Sequence, residues 1–220
     1  MQDLSERKVP THEVTYTTLR DMVLTGGLAP GQAVTIQGLI RDLDAGMTPV
    51  REAIRRLTAE GALQLHGNRR VSVPNLTPAL LDQIAFARLT IEPKLAELAA
   101  PHLMAAQITR LEEIDEEINR AMAVNDIPGY LTGNHRFHFT LYEASKAAVL
   151  IDIAQSLWLR FGPSLRVVVG RYQSGRMPDR HSEALAILRS GNGPALARII
   201  QSDIQQGIDQ VRLALEAGEI

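Results

Sequence analysis

The sequence predicts a mostly α protein, with an N-terminal winged helix-turn-helix followed by a C-terminal all-α helical bundle. Three observations carry this expectation. Residues 1–75 hold three short apolar-periodic segments and then two alternating runs around a Gly-containing turn. Residues 76–220 show helical periodicity and no convincing strand. Gly or Pro punctuates most of the boundaries between segments.

The first helix is predicted over residues 15–24, where Tyr16, Leu19, Met22 and Val23 share a stripe and Gly26-Gly27 stops the run. A short second helix covers 36–43, with Leu39, Ile40 and Leu43 turned inward. In the segment "GMTPVREAIRRL", Thr48 occupies the place of a side-chain cap and Pro49 the first helical position, where a missing N–H costs nothing. This third helix runs to about residue 60 and ends at Gly61, burying Val50, Ala53, Ile54 and Leu57. Leu63 and Leu65, then Val71 and Val73, alternate on either side of Gly67-Asn68 and predict a hairpin.

"PNLTP" at 74–78 repeats the cap-and-proline signature and marks a junction, so the expected units are residues 1–75 and 76–220. In the second, helices are predicted over 78–100, 105–124, 129–145, 147–170, 179–190 and 194–217, with Gly162-Pro163 kinking or splitting the fourth.

Composition bounds the function. The chain has 220 residues, 45% hydrophobic and 22% charged, and no cysteine, which excludes disulfide scaffolds, Cys-ligated zinc and cysteine nucleophiles. No apolar run approaches the ~20 residues that span a bilayer. The start "MQDLSERKVP" lacks the pattern of an export signal. A cytoplasmic protein with no membrane partner is expected. The formal net charge is only −2, yet between Gly46 and Val73 Arg51, Arg55, Arg56, Arg69 and Arg70 face only Glu52 and Glu60. That local excess is an electrostatic footprint for a polyanion. Arg51 and Arg55 lie four apart and share a helix face. Thr48 stands at the helix start, and Arg69 and Arg70 stand beside the hairpin turn. Double-stranded DNA is the partner that such a helix and adjoining wing fit. One recognition helix makes few base contacts, so specificity requires two copies about a twofold axis.

A second constellation lies in the bundle. Asn134 and His138 are four apart on one face, while His181 and Asp203 lie equally far on either side of Asn192 in a helical turn. If the two flanking helices run antiparallel and these positions face each other, His181 and Asp203 meet at similar height. The four residues would then surround a divalent metal ion; two imidazoles and one carboxylate suit Zn, Ni, Fe or Mn. The same histidines would equally serve as satisfied core residues, with Asp203 on a helix surface. Arg88 would compensate a buried carboxylate or bind an organic acid as effector, or pair with Glu92 one turn on.

The stretches "YTTLRDMVLTGGLAPGQAV" and "LIRDLDAGMTPVREAIRRLTAEGAL" resemble the winged helix-turn-helix of GntR-type bacterial transcription regulators. "ARLTIEPKLAELAA", "NHRFHFTLYEAS" and "HSEALAILRSGNGPALARIIQSDI" resemble the ligand-binding domain of that family's fatty-acid-regulator-like branch. The resemblance implies a homodimer that binds a semi-palindromic operator and responds to a small carboxylate effector. It places Thr48, Arg51 and Arg55 in the family's DNA-contacting set. It also places Asn134, His138, His181 and Asp203 where the family presents Asp, His, His and His. The carboxylate has thus moved across the site. Met47 stands where the family usually has Arg, and Arg70 where its wing commonly has Gly. Two other functions compete: a metal-dependent enzyme in the bundle with Asp203 or Glu183 as base, and a constitutive DNA-binding dimer without effector.

Overall fold

The computed structural model describes residues 11–67, 70–169 and 180–220. α1 (Thr11–Leu24) buries Tyr16, Leu19 and Val23, and β1 (Ala33–Thr35) leads into α2 (Ile36–Asp42). Thr35 caps α2, its hydroxyl accepting from the Gly38 amide at 3.0 Å. α3 (Met47–Ala59) lays Val50, Ala53, Ile54 and Leu57 on the core. β2 (Gln64–His66) and β3 (Arg70–Ser72) form the expected hairpin. β1 adds a third antiparallel strand, giving the order β1-β3-β2 with Val34 and Leu65 both opposite Val71. Three residues are too short to display alternation, which is why the sequence reading misses β1.

The start of α3 corrects the expectation for Thr48 and Pro49. The helix begins at Met47, with Gly46 in the N-cap position and no side-chain cap. Thr48 is therefore the second helical residue and Pro49 the third. The proline remains tolerable because first-turn N–H groups have no intrahelical acceptor in any case.

The second half is helical in the predicted order, with every boundary within two residues of its expected place. It comprises α4 (Pro78–Ala99), α5 (Ala105–Ala123), α6 (Ile127–Glu143), α7 (Ala148–Val169), α8 (Arg180–Leu188) and α9 (Gly193–Glu216). Side chains supply several starts: Thr77 accepts from the Leu80 amide, Asp126 from Gly129 and Asn192 from Ala195, at 3.0–3.2 Å. Leu81, Leu95, Leu111, Phe137, Leu141, Leu196 and Ile200 form the centre of the core. No helix of the described residues is long and apolar enough to cross a membrane.

α7 does not split at Gly162-Pro163, because tertiary packing carries it through. Both residues are buried, and the missing side chain of Gly162 lets α7 approach α1 closely. A Cβ at 162 would lie 3.0 Å from the carbonyl oxygen of Leu24. Gly162→Val is expected to push the helices apart and cost about 1–3 kcal/mol, as overpacking does; urea unfolding of the variant measures it.

Polar bonds extend this contact between the halves. Arg160 Nε and Ser156 Oγ donate to the carbonyl oxygen of Glu60 at 3.2 and 3.4 Å, at the C-terminal end of α3. Arg166 Nη1 donates to the carbonyl of Gly26. The Glu60 carboxylate in turn accepts from Tyr16 at 2.9 Å. Burial, reinforced by that bond and by the Glu60 charge, raises the Tyr16 phenol above its usual range.

Candidate functional site

The exposed surface of α3 and the wing carries the first set of candidate residues. Thr48, Arg51 and Arg55 are all exposed. With no side chain capping α3, the first-turn N–H groups beside Thr48 are available to an anion. Arg51 and Arg55 line a groove of about 550 Å³ together with Ile36 and Ile54 and with Leu65 and His66 from the wing. Arg55 makes a long contact with Glu52, 3.7 Å, on a side chain that is 80% exposed, so it is readily redirected. Arg56 is different: it bonds Glu13 at 3.2 Å and lies 3.6 Å over the Tyr16 ring, tying α3 to α1. Arg70 is exposed at the start of β3. Arg69 lies outside the described residues. Met47 is 46% exposed at the first position of α3, an apolar side chain.

The second set converges inside the bundle. α6 supplies Asn134 and His138, α8 supplies His181 and α9 supplies Asp203, because α8 and α9 pack as an antiparallel pair around the turn at Asn192. One ligand atom each from His138, His181 and Asp203 lies within 4.8 Å of the others. His138 Nε2 stands 3.1 Å from Asp203 Oδ2, and the two imidazole centroids are 5.4 Å apart. Asn134 is buried beside them and lines the same cavity. Burial would raise the Asp203 carboxyl, but the His138 hydrogen bond and the neighbouring charges of His138, His181 and Arg88 outweigh it and hold the group below its usual range.

Groups that the sequence reading did not place orient these side chains. Tyr142 donates its hydroxyl proton to Glu92 Oε2 at 2.8 Å. Burial, with the Glu92 charge beside it, pushes the phenol well above its ordinary range, so that proton is retained. The Tyr142 oxygen is left to pair with His138 Nδ1 at 3.0 Å, a contact that orients the ring with Nε2 toward Asp203. His181 stacks on Phe137 at 4.2 Å and turns Nδ1 toward Asp115 Oδ1, 3.6 Å away. Asn119 holds the other Asp115 oxygen at 3.3 Å. Tyr142 lies one turn beyond His138, a spacing visible in the sequence; Asp115 on α5 offers no such signal.

Arg88 forms the ion pair with Glu92, fully inside the protein. Nε and Nη2 reach the two Glu92 oxygens, and the guanidinium lies 4.6 Å from the ring centroids of both Trp158 and Phe161. Trp158 Nε1 adds a further bond to Glu92 at 2.9 Å. Glu92 thus accepts from three side chains while wholly buried. Next to this pair, His135 is held neutral: burial first, then the charges of Arg20 and His138, lower its pKa to about 3.

The donor chemistry fits a divalent cation. Two imidazoles and a carboxylate converge; the far nitrogen of His138 is bonded to Tyr142, and Nδ1 of His181 faces Asp115 at 3.6 Å. The space among Arg88, Asn134, His138, Trp158 and Asp203 is small, about 40 Å³, and polar groups line it, as a site for an ion or a few waters requires. Among the described residues lining it, Arg88 is the only cation, and Glu92 matches its charge.

Comparison with known proteins finds two family matches along the chain. Residues 11–73 match the family described as bacterial regulatory proteins, gntR family, and residues 83–206 match the FCD domain. The HTH-type transcriptional regulator McbR of Escherichia coli K12 is 27% identical over 194 residues, covering 84% of this chain and 87% of that protein. The HTH-type transcriptional repressor RspR of the same strain is 22% identical over 92% of this chain and 90% of its own. The solved structure described as E. coli McbR/YncC superposes with a TM-score of 0.87 at 24% identity, over 94% of this chain and 99% of that one. A putative regulator from Rhodococcus sp. RHA1 gives 0.72 at 21% identity over 92% and 98%. These superpositions agree with the winged helix-turn-helix and helical bundle described above.

Proposed function

Because the chain belongs to the bacterial gntR-family regulators that carry an FCD domain, we propose that it binds duplex DNA as a twofold homodimer and that a ligand in the buried His/Asp cavity sets its affinity. Residues 1–75 form the DNA-binding part in this reading, and residues 76–220 the ligand-binding and dimerisation part. The observation that carries the DNA half is the exposed set Thr48, Arg51 and Arg55 on α3, Thr48 at its uncapped start and Arg51 and Arg55 lining one groove with the wing. Thr48 and the first-turn amides hold a phosphate, Arg51 and Arg55 enter the major groove, and Arg69 and Arg70 meet phosphate or the minor groove.

Hydroxyl-radical footprinting of a bound duplex tests the twofold reading. Two protected patches centred about 34–36 Å apart, or a multiple of that, are expected. A single patch, or uniform protection, would count against it.

His138, His181 and Asp203 would hold the cation, with Asn134 a weak fourth donor. Bound there, the ion would neutralise the two carboxylates Asp115 and Asp203 and fix α6, α8 and α9 against one another. We assign the bundle this binding role and no catalytic step. A small organic acid, the effector implied by the resemblance, would enter this cavity through the ion, since the charge of Arg88 is already committed to Glu92. Asp115→Asn is expected to weaken ion binding by about 10–100-fold, the usual effect of losing an orienting carboxylate. Isothermal titration with Zn²⁺ measures it, and an unchanged affinity would remove Asp115 from the site.

A further inference from the structure

We propose a second ligand site, separate from the His/Asp cavity: the cleft between α1 and α6 binds a small monocarboxylate with an apolar body, clamped between the two halves of the chain. The cleft is half-open and about 450 Å³, within the range of small-molecule pockets. Helical spacing builds both walls. Arg20, Asp21 and Leu24 share one face of α1, and Leu131, His135 and Phe139, four apart, share one face of α6. One wall thus belongs to the winged half and the other to the bundle. Neither the ion nor DNA is needed for this binding.

Arg20 supplies the polar anchor. Among the described residues no acceptor reaches its Nε, although that atom is buried. A buried donor without an acceptor is rare in folded proteins and calls for an explanation. Arg20 Nη2 meets Asp21 Oδ1 at 3.5 Å, a long contact between neighbours in the chain, with the Asp21 side chain 54% exposed. The Arg20 side chain is itself 27% exposed, so it turns within the cleft without disturbing the core. A carboxylate there meets Nε and Nη2 together, in the two-pronged geometry that suits a guanidinium. Giving up the Asp21 contact costs little, because exposed ion pairs are weak.

The rest of the lining defines the ligand. Leu24, Leu131 and Phe139 give the cleft an apolar wall, which the His135 ring, stacked on Phe139 at 4.4 Å, extends. That wall takes an aliphatic or aromatic body. Arg136, the other arginine of the cleft, is already held by Glu117 at 2.6 Å, and Asp21 and Glu143 add two carboxylates to the lining. Arg20 therefore matches a single negative charge, whereas a phosphate ester or a dicarboxylate would bring a second one against Asp21 and Glu143. A ligand that touches both walls binds only the arrangement in which they face each other. It stabilises that arrangement by mass action.

The test uses the full chain, stripped of metal and desalted, and titrates it with benzoate by calorimetry. An acid that enters the His/Asp cavity through an ion gives no signal under these conditions. We expect one benzoate per chain, and slower amide exchange over residues 19–25 and 131–143 together. Arg20→Met should weaken benzoate binding by about 10–100-fold, the loss expected for a hydrogen bond to a charged group. Thr140→Phe, which fills the cleft from α6, should abolish it, and both variants should keep the wild-type urea midpoint. Inorganic phosphate and benzyl alcohol, each carrying one half of the ligand's chemistry, should bind weaker by about tenfold or more. Unaltered benzoate affinity in the two variants, or exchange slowed in one segment alone, would overturn the proposal. So would phosphate or benzyl alcohol binding as tightly as benzoate. Benzoate binding that appears only after Zn²⁺ is added would overturn it too, and would assign the acid to the His/Asp cavity. No benzoate binding with or without Zn²⁺ would remove both acid sites.

Discussion

Replacing Glu92 by alanine should destabilise the protein by about 3–5 kcal/mol, the range seen when one partner of a buried ion pair is removed. Glu92 is fully buried and Arg88 nearly so. Its loss leaves a guanidinium between Trp158 and Phe161 with no counter-charge, and takes the acceptor from both Tyr142 and Trp158. Urea unfolding followed through Trp158 gives the cost, provided the slope of the transition is unchanged. The double variant Arg88→Met/Glu92→Met should lose less than Glu92→Ala, because it removes both charges together. A single-variant cost below about 1 kcal/mol would mean that solvent reaches the pair.

Arg51→Ala should weaken operator binding by about 1–3 kcal/mol and relax selectivity at one base-pair position, if the side chain reads a guanine edge. Arg51 is exposed on α3 and faces the groove shared with the wing, with Arg55 one turn on. Anisotropy titrations against duplexes differing at single positions separate the two roles open to it. A loss equal for every sequence, with a salt slope reduced by about 1, would assign Arg51 to phosphate instead.

The fold was legible wherever a repeating pattern met a punctuating residue. The six helices of the bundle fall within two residues of expectation, because Thr77-Pro78, Pro101, Asp126 and Asn192 stop or start them by mechanisms local to the chain. The misses have equally physical causes. β1 is defined by pairing with β3, a partner far along the chain, and three residues carry no period of their own. Thr48 is a cap by chemistry, but the helix gains two residues, Met47 and Thr48, by starting from Gly46. Gly162-Pro163 would break an isolated helix; here burial against α1 holds α7 continuous.

The candidate site was legible by halves. Equal spacing about Asn192 correctly brings His181 to Asp203, since an antiparallel turn makes sequence distance into height. The pairing of Arg88 with Glu92 follows from one helical turn. Asp115, and the bonds from α7 to Glu60, depend on how separate helices pack, which no local spacing encodes.

Selection of bound duplexes from a random DNA pool, followed by a salt titration of the winning sequence, tests the central claim most directly. The account predicts an enriched inverted repeat whose log Kd rises steeply with log salt, as several Lys/Arg–phosphate contacts on each of two subunits require. Absence of enrichment at both low and moderate salt would contradict it.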